Sequence, residues 1–261
     1  MQISHDQAHP MSIDPWFHFI KGAPWQSSVP FPNFQSHRGF HAEGLLENSL
    51  DAFREAAKRG ALMSECDVRF TKDLVPVVFH DMDLLRIANR PEIVEDLNFR
   101  ELQKITKVSS LEEMLTAPDL TRYFNVELKT KEIDDTLSIA VAQVVKKVKG
   151  AEERIFFSSF NPFALWKLQK LTPQIPRALL ATNVTHKDNR WWVKHLLLAP
   201  LLKIHMLNLD HAMITEKVAK FWKSRNVKLA AWTVNSPSRI AELRKWGVDS
   251  VISDLDPQKF I

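Results

Sequence analysis

From residue 33 onward, short apolar runs alternate with stretches of helical periodicity, and the alternation repeats through the rest of the chain. The strand-like runs are residues 34–37, 62–68, 124–128, 155–158, 177–180, 206–209, 229–233 and 250–253. Helical patterns fall at 49–58, 111–115, 135–147, 162–171, 191–202, 216–224 and 237–246. Strands separated by helices pair in parallel, because a crossover must return the chain to the same end of the sheet. Eight such strands predict a closed (β/α)8 TIM barrel, an α/β fold whose chemistry sits at the C-terminal ends of the strands. One segment departs from the rhythm. Only Thr71-Lys72-Asp73-Leu74 separates Cys66–Phe70 from Val75–Phe79. Four residues cannot make a parallel crossover, so this pair is predicted to be a β-hairpin following the second strand. A turn centred on Asp73 and Leu74 sets residues near 67 against residues near 80, which returns His80 to the barrel mouth beside Asp67.

Composition narrows the remaining classes. With 45% hydrophobic residues the chain is too apolar for a disordered tail, and its 261 residues suffice for a large core without disulfide or metal staples. The single cysteine, Cys66, cannot form an internal disulfide and fits a reducing compartment, so a cytoplasmic location is expected. No apolar run is long enough to span a membrane, and residues 1–14 carry two aspartates, no Lys or Arg, and no apolar core of a secretory signal. The formal charge of +4 suits an anionic substrate or surface, but the basic residues are scattered rather than gathered in a stripe, so nucleic acid is not expected as a partner. Residues 1–32 interleave five prolines with aromatic residues. Proline removes a backbone donor and fixes φ, so this region is expected to be an arm without regular helix, packed on a barrel comprising residues 33–261.

Several strand ends carry charge that a core would reject. Glu65 and Asp67, two apart, face the same side of one strand; Glu127 and Lys129 repeat the spacing on the next barrel strand. Three carboxylates in a barrel mouth repel one another unless a cation neutralises them, and oxygen-only ligation suits Mg²⁺ or Ca²⁺. Ordinary surface carboxylates are the alternative reading of Glu-x-Asp alone. His37 and His80 each end a strand that reaches the same mouth, and two imidazoles can divide the duties of general base and general acid. Arg38 offers a planar fork for a phosphate, and Gly39 permits a tight turn after it. The remaining histidines, His5, His9, His18, His41, His186, His195, His205 and His211, are read as surface or satisfied core residues.

An ordered set of motifs accompanies these residues: His37-Arg38-Gly39, Glu47-Asn48-Ser49-Leu50, Glu65-Cys66-Asp67-Val68, Phe79-His80-Asp81, Val126-Glu127-Leu128-Lys129, Ser159-Phe160-Asn161-Pro162, Ala231-Trp232-Thr233-Val234-Asn235 and Val251-Ile252-Ser253-Asp254. In this order the sequence resembles the glycerophosphodiester phosphodiesterase family, with phosphatidylinositol-phospholipase-C-like barrels. The resemblance implies metal-dependent hydrolysis of glycerophosphodiesters to sn-glycerol 3-phosphate and an alcohol. It implies that Glu65, Asp67 and Glu127 hold one divalent cation, Mg²⁺ or Ca²⁺, and that His37 and His80 are the acid–base pair. Arg38 and Lys129 then bind phosphate, Trp232 and Asn235 line the substrate pocket, and Glu47 and Asn48 support the loop after the first strand. Core packing is the alternative for Trp232 and for Phe160. The resemblance further implies attack by the glycerol 2-hydroxyl and a cyclic phosphate opened by water.

Two features depart from the family pattern. The insertion between His80 and Glu127, ahead of the third barrel strand, is shortened, which predicts an open mouth and disfavours small free diesters such as glycerophosphocholine. Residues 190–203 combine Trp191-Trp192, a leucine cluster and flanking cations. A buried barrel helix is the first reading of that stretch; an interfacial membrane segment is the second. The second reading makes a lysophospholipase D-like activity on lipid phosphodiesters at a membrane surface the alternative function. A barrel kept for binding alone is a third reading, disfavoured by the complete set of carboxylates, histidines and cations.

Overall fold

The computed structural model of the chain describes residues 8–130, 135–184 and 195–260. Its strands are β1 (Phe34–Ser36), β2 (Met63–Phe70), β3 (Pro76–Val78), β4 (Tyr123–Leu128), β5 (Ile155–Ser159), β6 (Arg177–Ala181), β7 (Met206–Asp210), β8 (Lys228–Trp232) and β9 (Ser250–Ser253). All but β3 form one closed ring of parallel strands, with β1 joined to β2 on one side and to β9 on the other. This is the predicted (β/α)8 barrel. β3 lies outside the ring, antiparallel to β2 in the register Val68↔Val78, Arg69↔Val77 and Phe70↔Pro76. The hairpin therefore forms as its four-residue turn requires, and its register sets positions 66 and 67 against 80 and 79.

Several helices begin where the sequence supplies a side-chain cap. In α1 (Leu50–Lys58), Ser49 Oγ accepts from the Ala52 amide, satisfying a donor that the first turn leaves open. Between β3 and β4 come α2 (Leu85–Ala88), α3 (Phe99–Ile105) and α4 (Leu111–Thr116), the last opened by a Ser110–Glu113 capping box. α5 (Thr136–Lys147) follows β4, and α6 (Pro162–Leu171) starts on an Asn161 cap with Pro162 in the first turn. Thr215 caps α7 (Glu216–Ser224) and Ser236 caps α8 (Pro237–Lys245). α1 and α7 each bury one stripe on the ring: Ala52, Phe53 and Ala56 from the first, and Val218, Ala219 and Trp222 from the second. Inside the ring a polar chain replaces apolar packing. Ser158 donates to Asn125, Asn125 to Gln35, and Gln35 to Ser250, so these buried groups satisfy one another.

The helix expected over residues 191–202 is not continuous in its described part. Residues 195–198 form turns, Leu196 takes a left-handed φ of 52°, and Ala199–Leu201 is a 3-10 turn containing Pro200. A left-handed residue breaks the i→i−4 ladder, and the proline lacks the donor to resume it. Trp191 and Trp192, on which the interfacial reading rests, lie outside the described residues.

The described part of the proline-rich N-terminal region, residues 8–32, packs against the barrel and includes a short 3-10 helix, Pro15–Phe19, whose first position suits proline. Phe17 and Ile20 are buried, with Phe17 against Trp222 at a ring separation of 5.2 Å. Gly22 donates to Arg225 O, and a Cβ at Gly22 would stand 1.9 Å from Asn226 O, so only glycine permits this approach. Val29, with Trp25 and Phe31 around it, covers Met63, Phe156, Ala178, Met206 and Ala230 near the N-terminal ends of the strands. That end of the barrel is closed, which leaves the opposite end for the site. Phe17→Ala is expected to destabilise the protein by about 3–5 kcal/mol, seen as a lower urea midpoint at unchanged denaturant slope. A midpoint equal to wild type would mean that the Phe17–Trp222 contact contributes nothing.

Candidate active site

Strand register assembles the carboxylates. Asp67 on β2 pairs directly with Glu127 on β4, and Glu65 pairs with Asn125 one pleat below, so all four face the interior of the ring. Ligand oxygens of Glu65, Asp67 and Glu127 lie within 4.8 Å of one another, and all three residues are buried. Two cations stand among them. Lys129 Nζ is 3.1 Å from Asp67 Oδ1 and 2.6 Å from Glu127 Oε1, and Arg38 Nε is 3.1 Å from Asp67 Oδ2. When all are ionised, three negative charges face two positive ones. The imbalance is visible in the carboxyls: burial and the neighbouring Asp67 and Glu127 push Glu65 well above the ordinary range, and burial raises Glu127. Burial also acts to raise Asp67, but Lys129 and Arg38 overcome it and hold that group well below its usual value. An all-oxygen, buried donor set that is one positive charge short of balance fits a hard dication such as Mg²⁺ or Ca²⁺.

The loop after β1 braces this cluster. Arg38 takes φ 55° and Gly39 φ 77°; a Cβ on Gly39 would meet the Ala52 carbonyl carbon at 2.7 Å, so the turn requires glycine. The Arg38 amide donates to Glu65 Oε2, and its guanidinium pairs with Glu47 at 2.8 Å. Asn48, itself left-handed, donates to Asp67 Oδ2 at 2.8 Å and accepts from the Asp67 amide at 3.1 Å. Asn48 thus holds the Asp67 carboxylate itself, a closer engagement than loop support. Glu47 instead joins Arg38 to Arg86, which also reaches Asp81 Oδ2 at 2.7 Å.

Each candidate catalytic histidine rests on its own aspartate. His37 Nδ1 is 2.6 Å from Asp254 Oδ1, and its Nε2 is 3.9 Å from Glu65 Oε2. His80 Nδ1 is 2.6 Å from Asp81 Oδ1. The hairpin fixes His80: Phe79 N donates to Asp67 O, and the buried Arg69 donates to His80 O at 2.8 Å. Burial, then Arg38, lowers His37; burial, then Lys129, lowers His80 to about 4. Hydrogen bonds from His37 and His41 hold Asp254 ionised below the usual carboxylate range against its burial, and His80 and Arg86 do the same for Asp81.

His37, Arg38, Glu65, His80, Glu127 and Lys129 line one cavity of about 560 Å³. Across the ring from Glu127, Trp232 lines the same cavity with Phe160, Leu180 and Ile252, its indole edge-on to Phe160 at 5.4 Å and its Nε1 donating to Asn208 O. Trp232 and Phe160 therefore belong to a wall as well as to a small apolar cluster. Asn235 also lines the cavity, but both ends of its amide engage Asp254: Nδ2 donates to Oδ2 at 2.6 Å and Oδ1 accepts from the backbone amide.

The site holds partners beyond those the sequence spacing points to. His41 is not a bystander; the left-handed turns at Arg38 and Gly39 fold its loop over the end of β9, where Nε2 lies 3.2 Å from Asp254 Oδ1. Asp254 itself was unassigned, although barrel closure predicts that residues following the first and last strands meet. Asp81 was visible as His80's neighbour in sequence, whereas nothing in the spacing announced Arg69 or Arg86.

Residues 37–256 match the Glycerophosphoryl diester phosphodiesterase family. The chain is 29% identical to the uncharacterized protein YqiK of Bacillus subtilis, covering 86% of this chain and 95% of that one. It is 27% identical to a glycerophosphodiester phosphodiesterase of Caldanaerobacter subterraneus subsp. tengcongensis, covering 87% of this chain and 95% of that one. Among solved structures, a phosphodiesterase of Oleispira antarctica in complex with the product sn-glycerol-3-phosphate superposes with a TM-score of 0.74 at 26% identity, covering 88% of this chain and 95% of the other.

The lowered value of His80 has a sign that can be measured. The unfolded chain takes up this proton below about pH 6.5, the fold only below about 4, so acidification across that window favours unfolding. Asp81 and Asp254 add to the loss at lower pH, as their ionised forms are protonated. The raised Glu65 and Glu127 carboxyls act in the opposite sense over the same window, so the contribution of His80 is read as the difference in slope between wild type and His80→Asn in urea titrations of the metal-free protein from pH 6.5 to 4. His80→Asn should remove up to about 1.4 kcal/mol per pH unit of that slope. An unchanged slope would place His80 in water rather than in the buried mouth.

Proposed function

The chain belongs to the glycerophosphoryl diester phosphodiesterase family and is a phosphoric diester hydrolase, and from that premise we propose that it hydrolyses glycerophosphodiesters to sn-glycerol 3-phosphate and an alcohol by two-histidine acid–base catalysis. The observation that carries this reading is the pair of imidazoles, each anchored on a carboxylate, beside three clustered carboxylates in one cavity. The product held by the Oleispira relative supports the glycerol side of the substrate.

Glu65, Asp67 and Glu127 would hold the divalent cation, which when bound supplies Lewis-acid neutralisation of the phosphate. Arg38 and Lys129 complete the positive surround and fix the phosphodiester in place. Asp254 and Asp81 hold Nδ1 of their histidines, leaving Nε2 of each ring to exchange protons. One imidazole takes the proton from the attacking hydroxyl, the glycerol 2-hydroxyl in the first step, while the other protonates the departing alkoxide; water then opens the cyclic phosphate. Trp232 and Phe160 exclude water from the substrate's carbon skeleton. Asn235 acts by positioning Asp254. With cationic, polar and apolar walls in one cavity, the substrate is an anionic diester with a short carbon moiety.

A second reading, lysophospholipase D-like activity at a lipid surface, is favoured by one cluster. Met82, Leu85 and Ile93 are exposed on the segment that follows Asp81, with Asp83 bridged to Ile93. An acyl chain lying there would extend from the mouth. Glycerol 3-phosphate release from glycerophosphocholine and glycerophosphoethanolamine, abolished by EDTA and restored by Mg²⁺ or Ca²⁺, is the expected result. Turnover confined to micellar lysophosphatidylcholine would transfer the assignment to the second reading.

His37→Ala and His80→Ala are each expected to lose about 10²- to 10⁴-fold in turnover with the fold retained, checked by circular dichroism alongside the assay. Asp67→Asn should abolish turnover and weaken Mg²⁺ or Ca²⁺ binding measured by calorimetry. Lys129→Ala should lower turnover while the cation still binds. Full activity in Asp67→Asn would remove the metal assignment.

A further inference from the structure

We propose that His37, His41 and Asp254 form a second metal site, suited to a late first-row dication such as Zn²⁺, and that its occupancy inhibits hydrolysis. The inhibitory half rests on the function proposed above; the site itself does not. One ring nitrogen of each histidine and one Asp254 oxygen lie within 4.8 Å of one another. His37 Nδ1 and His41 Nε2 both approach the same atom, Asp254 Oδ1, at 2.6 and 3.2 Å. Two imidazoles and a carboxylate are a zinc-type donor set, chemically unlike the three carboxylates that suit a hard ion. The two sites in one mouth therefore select different metals.

The site is both built and open. Asn235 grips the other Asp254 oxygen, the outer support that metal-binding carboxylates ordinarily have. The side chains of His37, His41 and Asp254 are 17, 27 and 32% exposed, so an ion reaches them from the cavity and retains a position for water.

The consequence for catalysis follows from the tautomer. In the structure His37 Nδ1 faces the aspartate, which leaves Nε2 to work. A metal on Nδ1 replaces the hydrogen bond to Asp254, and the neutral ring then carries its one proton on Nε2. The ring keeps its charge and loses its lone pair, so it cannot cycle between proton acceptor and donor. Zinc at this position therefore stops turnover without touching Glu65, Asp67 or Glu127.

The test titrates Zn²⁺ into the full-length protein in saturating Mg²⁺, against a chromophoric chelator, in wild type and His41→Asn. Wild type is expected to bind one Zn²⁺, and loss of His41 to weaken it at least tenfold, with the zinc inhibition curve shifting by the same factor. Co²⁺ in place of zinc reports the ligands directly: its visible spectrum should change in His41→Asn. Equal zinc affinity in both proteins would overturn the site, as would inhibition relieved by excess Mg²⁺ to the same degree in both, which would place zinc at the carboxylates. His41-dependent zinc binding in a protein that hydrolyses no glycerophosphodiester would uphold the site and refute the proposed function instead. His41-dependent binding without inhibition of an active enzyme would overturn the inhibitory half.

Discussion

Three carboxylates held within 4.8 Å of one another are the constraint around which the rest of the mouth is arranged. At an effective dielectric of ~20, each ionised pair repels by roughly 3–4 kcal/mol. Arg38 and Lys129 offset much of this, and both are placed by backbone features rather than by chance proximity. Lys129 comes two residues after Glu127, just past the end of β4, and Arg38 sits in a left-handed turn that only the following glycine allows. The charge left over is what would let the cluster take a cation rather than close as a salt-bridge knot. A dication there would convert one excess negative charge into one excess positive charge, which suits a phosphodiester monoanion.

Ion pairs carry that arrangement outward. Arg38 binds Glu47, Glu47 binds Arg86, and Arg86 binds Asp81, which holds His80. The carboxylate cluster and the hairpin histidine are thus joined through side chains of the loop after β1, the segment after β3 and helix α2. His37 has a different kind of support: Asp254, steadied by the neutral amide of Asn235 and shared with His41. The two imidazoles are alike in their Nδ1 partners and unlike in what stands behind those partners.

The ring of eight strands could be read from the sequence because short apolar runs alternate with helical periodicity through residues 34–253. The hairpin could be read because four residues cannot cross over. Glu65 and Asp67 were readable because period two puts them on one face. What spacing alone could not supply were contacts between distant loops. Arg86 meets Glu47 39 positions away, and no periodicity encodes that. The place of His41 depends on the left-handed turn before it, which no periodicity encodes, and the apolar residues near 196–202 give no sign of the break at Leu196.

The His37–Asp254 pair joins the loop after β1 to the residue that follows β9, a separation of 217 positions bridged only by ring closure. A chain emerging from the ribosome presents its histidines, its carboxylates and its hairpin long before Asp254 exists. Until β9 has docked beside β1, His37 has no anchor for its Nδ1 and the mouth is incomplete. On the two-histidine reading proposed above, competence to cleave a phosphodiester would arrive with the final strand rather than grow in step with synthesis, and nascent and C-terminally clipped chains would share one lack: the partner of His37.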